Sequence, residues 1–107
     1  MIELTEYLDS HDVSPFGDWL DGLDAQAAAK ITKALIQMEN GNFSNAKGVG
    51  EGVQEYRINF GPGYRIYFGK DGEQIVILLG GGTKKRQQND IDSARLRWAD
   101  YKKRKGE

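Results

Sequence analysis

The sequence predicts an α+β domain in which helices pack on an antiparallel sheet, and three observations carry that prediction. Tyr56, Ile58 and Phe60, then Tyr64, Ile66 and Phe68, alternate with polar residues as strands do. Two reversal signals, Gly61-Pro62-Gly63 and Asp71-Gly72, divide this region into a three-stranded meander. On either side lie stripes of helical period, Ala28, Ile31, Leu35 and Met38 before it and Ile91, Ala94, Trp98 and Tyr101 after it.

Taken in order, Ile2 and Leu4 open a short, half-buried strand that ends in the polar run Asp9-Ser10-His11-Asp12. Ser14 followed by Pro15 is an N-cap and first helical residue. Phe16, Trp19, Leu20 and Leu23 form the stripe of a short helix that Gly22 weakens. Asp24 caps a second, longer helix, which Asn40-Gly41 ends. Residues 42–52 contain Gly48, Gly50 and Gly52 and are expected to be a loop. Their Gly-Val-Gly-Glu-Gly run matches neither nucleotide-binding fingerprint and carries an acid where phosphate would be repelled. The meander follows. Asn89 or Asp90 then caps a last helix, and Lys102 to Lys105 end it with the charge favoured at a helix C-terminus.

The reversals predict a register. A three-residue loop at 61–63 places Asn59 opposite Arg65, and a two-residue turn at Asp71-Gly72 places Phe68 across from Ile75, Ile66 across from Ile77 and Arg65 across from Leu78. Helices cover the apolar sheet face. The other face, carrying Arg57, Arg65 and Tyr67, is expected to stay partly open. Gly80 to Arg86 then reads as a basic loop starting near Arg65, its glycines either ending a strand or admitting a ligand to the backbone.

At 107 residues the chain is long enough for one domain, 1–107, with a single modest core. It lacks cysteine, which excludes disulfides and thiolate chemistry and fits a reducing compartment. The longest apolar run, Ile75 to Leu79, falls far short of the about 20 residues that cross a bilayer, and the first residues are acidic, so a cytoplasmic protein without membrane contact is expected. Net charge is −1, but its distribution is uneven: residues 1–55 carry ten acids and three bases, residues 83–107 four acids and nine bases. A basic pole of this kind either steers a polyanion or is simply a solvated surface. No Asp, Glu or His cluster has ligand spacing, so neither metal nor cofactor is expected. Trp19, Phe16 and Trp98 lie on helix stripes and Tyr64 has core parity, so packing is their expected role. His11 sits among acids as a solvated loop residue.

Three segments, VQEYRINFGPGYRIYF (53–68), IVILLGGGTKKRQQNDI (75–91) and SARLRWADYKK (93–103), resemble the RelE/ParE superfamily of toxin–antitoxin toxins, and most closely its addiction-module killer-protein branch, grouped with HigB-like toxins. The resemblance covers about the last half of the chain; the first half agrees in element order. It implies a RelE-like fold and a toxin neutralised by a helix-turn-helix antitoxin, with DNA contacted only through that complex. RelE-side members are ribosome-dependent messenger-RNA endonucleases, whereas ParE-side members inhibit DNA gyrase. By position, Arg65 matches the strand arginine associated with phosphate contact, Lys84 and Lys85 the cations after the last strand, and Arg57 a recurrent second-strand arginine. Tyr101 and Lys102 fall where some relatives place a functional tyrosine or base.

Metal-free RNA cleavage needs a proton removed from a 2′-hydroxyl, charge stabilised at the phosphoryl group and a proton delivered to the leaving oxygen. Arg65, Lys84 and Lys85 are the catalytic candidates: a guanidinium forks onto phosphate oxygens, lysines add point charge, and a lysine whose pKa is depressed by neighbouring cations is one candidate general base. Arg57, Tyr67, Arg86, Tyr101 and Lys102 are candidates for binding messenger RNA on the ribosome, Tyr67 or Tyr101 either by stacking on a base or by donating a proton. Arg57 is equally suited to pairing with Glu55. The general base stays open, and so do two other functions, gyrase inhibition and a non-toxic antitoxin-binding relative.

Overall fold

The computed structural model describes residues 1–106. The elements run β1 (Glu3–Glu6), α1 (Pro15–Asp21), α2 (Ala25–Glu39), β2 (Ala46–Gly50), β3 (Val53–Ile58), β4 (Tyr64–Asp71), β5 (Ile75–Thr83), a 3-10 turn (Lys84–Arg86) and α3 (Gln87–Arg104). This is the expected α+β arrangement and is consistent with a RelE-like fold. One five-stranded sheet has the order β1-β5-β4-β3-β2, antiparallel except for β1, which pairs parallel to β5. Among the described residues no helix is long and apolar enough to cross a membrane.

The signals for the first two helices hold, whereas Asn89 and Asp90, the expected caps of the last helix, lie inside it. Ser14 Oγ accepts from the Gly17 amide at the start of α1, and the Asp24 carboxylate accepts from the Ala27 amide at the start of α2. Ala27, Ile31, Ala34 and Met38 are buried on one face of α2, against Tyr56, Tyr64, Ile66 and Phe68 of the sheet. α3 starts earlier than expected, at Gln87, because the preceding 3-10 turn already brings the chain into helical geometry.

Four expectations are corrected. The predicted loop at 42–52 contains β2, which pairs with β3 and returns through Glu51 and Gly52, both at positive φ (55° and 84°), as a tight hairpin requires. Its glycines disguise it: only Ala46 and Val49 reach a core, and the strand lies at the sheet edge. The β3–β4 reversal spans five residues rather than three, so Arg57, not Asn59, stands opposite Arg65. A shift of two preserves parity, which is why the apolar face survives the error.

The β4–β5 turn also gains a residue, pairing Asp71 with Ile75, and here parity is lost. Val76 and Leu78 join Phe68 on the α2 side, whereas Ile77 and Leu79 join Tyr67 on the other. A bulge beyond Phe68 then sets Arg65 opposite Gly82 instead of Leu78. Finally, the second face is not open. Ile91, Ala94 and Trp98 of α3 pack on Val53, Tyr67, Ile77 and Leu79, giving a core on each side of the sheet in place of the single core expected. Two apolar sheet faces cannot both face water, and α3 is the element left to cover the second.

Gly80 to Gly82 belong to β5, so they neither end the strand nor open it to a ligand. A Cβ on Gly81 would lie 2.2 Å from the Trp19 indole, and one on Gly82 1.9 Å from an Asp90 carboxylate oxygen. The glycines let side chains from helices on both sides press against the strand. Gly69 does the same for Trp98, whose ring lies 2.6 Å from where a Cβ would stand. Gly69→Ala should therefore destabilise the fold by about 1–3 kcal/mol through overpacking, measured as a lower denaturant midpoint with an unchanged m-value.

Candidate functional site

The side chains that meet at one end of the sheet come from the end of β3, the start of β4 and the end of β5. Arg57 and Arg65 are direct cross-strand partners, so two guanidinium groups share one face, an arrangement that needs an anion between them. Glu55, two residues before Arg57 and on the same face, supplies it and has no solvent exposure. Arg57 Nε donates to Glu55 Oε1 at 3.0 Å, and the Gln87 side-chain amide donates to both carboxylate oxygens at 3.1 and 3.0 Å. Arg65 Nε lies 3.8 Å from Glu55 Oε2, close enough for charge pairing but too far for a hydrogen bond.

The Arg65 side chain is only 9% exposed and its Nε has no hydrogen-bond partner. Its Nη1 donates to the Gly63 carbonyl at 2.8 Å, the same carbonyl that accepts from the Lys84 backbone amide at 2.9 Å. The β3–β4 reversal thus holds both the β4 arginine and the first residue of the basic turn. The result is a groove of about 390 Å³ lined by Asn45, Arg57, Asn59, Gly63, Arg65 and Lys84. The Arg57 side chain is 47% exposed and, among the described residues, bonds through Nε alone, so its two terminal nitrogens are left for a ligand. Such a groove can take an anion with several acceptor oxygens, a phosphodiester above all.

The sequence candidates divide by location. Arg57, Arg65 and Lys84 come together in the groove, and Lys85 and Arg86 are exposed on the 3-10 turn beside it. Arg65 is buried rather than pointing into an open face, because α3 and Glu55 enclose it. Tyr67 lies beneath α3 at 1% exposure, its hydroxyl unpartnered, and burial together with the Glu55 and Asp90 charges pushes its phenol well above the usual range. It is part of the second core. Asp90, near Arg86 and Arg97, is pushed up by burial, and burial also lowers Arg97, which donates to the Leu79 carbonyl.

Tyr101 and Lys102 lie near the opposite end of α3, a helix of 18 residues and so about 27 Å long. Tyr101 stacks on Trp98 with ring centroids 5.3 Å apart and donates to Asp71 Oδ2 at 2.6 Å, while the Lys102 ammonium lies over the Trp98 ring. Lys105 also contacts Asp71, and Arg104 contacts Asp100. The basic tail is a set of clamps on the far end of the sheet, distinct from the groove. His11 stays in the exposed β1–α1 turn. Among the described residues, no three His, Asp or Glu side chains converge as a metal-holding group.

Two residues that organise the groove, Gln87 and Asn45, carry no signal in the sequence. Glu55 carried a partial one, as a possible partner for Arg57 at the right parity. Glu55→Ala should cost about 3–5 kcal/mol in chemical denaturation, since it strands the buried Arg65 guanidinium. At the far end, hydrogen bonds from Lys105 and Tyr101 hold Asp71 below the ordinary carboxylate range. A carboxyl lowered on folding stabilises the fold above its unfolded pKa and ceases to do so as pH falls through its folded value. Asp71→Asn should therefore lower the melting temperature at neutral pH, with the difference from wild type vanishing in strong acid.

Comparison with known proteins supports a specific relationship. A family model described as Phage derived protein Gp49-like (DUF891) matches residues 18–102, from within α1 almost to the end of α3. An uncharacterized protein of Haemophilus influenzae (strain ATCC 51907 / DSM 11121 / KW20 / Rd) is 42% identical over 82 residues, covering 76% of this chain and 83% of the relative. With the match extending over both helical layers and all of β2 to β5, the chain belongs to the phage-derived Gp49-like family, a RelE-like toxin-type family associated with toxin–antitoxin systems.

Proposed function

We propose that this protein is a toxin of the HigB-like, addiction-module killer branch, which arrests translation by cutting messenger RNA on the ribosome without a metal and is neutralised by a helix-turn-helix antitoxin. The observation that carries this reading is the convergence of Arg57, Arg65 and Lys84 on one groove. In this reading the scissile phosphate enters the groove. Arg57 forks onto its non-bridging oxygens, and Arg65, anchored through Gly63 and Glu55, adds fixed positive charge beneath it. The adjacent 2′-hydroxyl attacks the phosphorus and loses its proton to water, while the 5′-oxygen leaves. Lys84 is the one groove cation able to hand over a proton, arginine being permanently charged, and it is assigned to protonate that oxygen. Lys85 and Arg86 hold neighbouring phosphates. The ribosome orients the message, which replaces much of the precision a larger enzyme would build into itself.

Because Arg57 and Arg65 are both counter-charges of the buried Glu55, removing either mixes folding with function, and the cleaner variants are Arg57→Lys, which keeps the charge and loses the fork, and Lys84→Ala. On induced expression the wild-type protein should stop protein synthesis and leave messages with new 5′ ends. Each variant should fold normally and lose about 10²-fold or more in cleavage rate. Intact messages with DNA-damage signalling would instead assign the groove to gyrase inhibition, and unaffected growth would leave an antitoxin-binding protein without toxicity.

A further inference from the structure

The groove does not stop at Arg57. Two further hollows adjoin it, one of about 180 Å³ reaching Lys30, Lys33 and Gln37 of α2, and one of about 270 Å³ reaching Lys47 of β2. Asn45 and Arg57 line all three, so the hollows form one continuous surface around the end of the sheet. The charge pattern on this surface is selective. Residues 1–55 contain ten acids but only three bases, and those three bases are Lys30, Lys33 and Lys47. None of the acids lines any of the three hollows.

We propose that these hollows form a track for single-stranded RNA flanking the scissile phosphate, running from Lys84 past Arg57 and Asn45 to Lys47 and to Lys30 and Lys33. The proposal rests on the ribonuclease reading given above and extends it to nucleotides beyond the cut. The path favours a single strand because it turns around the sheet end, from the α3 side to the α2 side. A duplex, stiff over about 150 base pairs, does not follow so short a bend, whereas a single strand does. Polar groups along the track suit base edges: Tyr56 donates to Gln37 Oε1 at 2.7 Å, which leaves the Gln37 amide nitrogen as a donor, and Asn45 and Asn59 offer both donor and acceptor. The phosphates meet the lysines as point charges, so this part of the surface contributes affinity and reading direction rather than chemistry.

The test compares Lys33→Glu and Lys47→Glu with Lys103→Glu, which makes the same change of charge at the clamped far end of α3. Binding of a labelled decauridylate is measured across a range of salt, alongside cleavage of ribosome-bound message. The track variants should weaken decauridylate binding about threefold to tenfold at low salt and reduce the salt slope by about 0.7 each. They should raise the half-saturating concentration for cleavage and leave the saturated rate unchanged, while Lys103→Glu matches the wild type. Equal losses in all three variants would reduce the effect to net charge and overturn the track, as would unchanged binding in the track variants or no decauridylate binding by the wild type. Weakened binding to message-free ribosomes alone would assign the lysines to ribosomal RNA and overturn it too. If the wild type leaves messages whole while the decauridylate differences persist, the cleavage reading falls and the track stands.

Discussion

A carboxylate removed from water must be matched by positive charge and donors, and the Glu55 side chain lies where three elements meet the candidate groove. It takes Arg57 from its own strand, Arg65 from the next and Gln87 from the first turn of α3. Each partner alone would be a poor bargain: arginines side by side repel, and a buried acid without donors would be protonated or expelled. Together they fix the register of β3 against β4 and the seat of α3. The groove's two arginines owe their placement to this acid, although it does not line the groove itself.

The arrangement separates two kinds of positive charge that the sequence lists side by side. Lys84 to Arg86 follow a strand that ends at the groove, and they are exposed. Lys102, Arg104 and Lys105 lie at the other end of the same helix and are engaged with Trp98, Asp100 and Asp71 respectively. A charge count by segment treats both groups as one basic pole. The helix between them makes one group a candidate for a ligand and the other a fastening of the fold.

Much of the architecture was legible in the sequence because it rests on local chemistry. Ser14, followed by Pro15, and Asp24 each place a side-chain acceptor for a backbone amide where a helix begins, and the alternation from Tyr56 to Phe68 can satisfy only a strand. The proximity of Arg65 and Lys84 was legible too, although by a different register. What escaped was decided by counts of one residue. A turn at Asp71-Gly72 serves loops of two or three residues, and the extra one moved the β5 side chains up to Leu79 to the opposite face, until the bulge restored the parity. The closure of the second face by α3 then followed from apolar residues, Ile77 and Leu79, assigned to the wrong side. The catalytic candidates were found through residue type and family resemblance, while Gln87 and Asn45 depend on tertiary meeting points that no periodicity encodes.

The parallel pairing of β1 with β5 has a temporal consequence. Glu3 to Glu6 find their partners only at Ile75 to Leu78, some seventy residues later in synthesis, and the groove requires Lys84 and Gln87 as well. A chain emerging from the ribosome therefore carries β1 unpaired until β5 has followed it, and their pairing closes a loop of some seventy residues. The candidate groove therefore takes its shape only once the chain as far as Gln87 has been made.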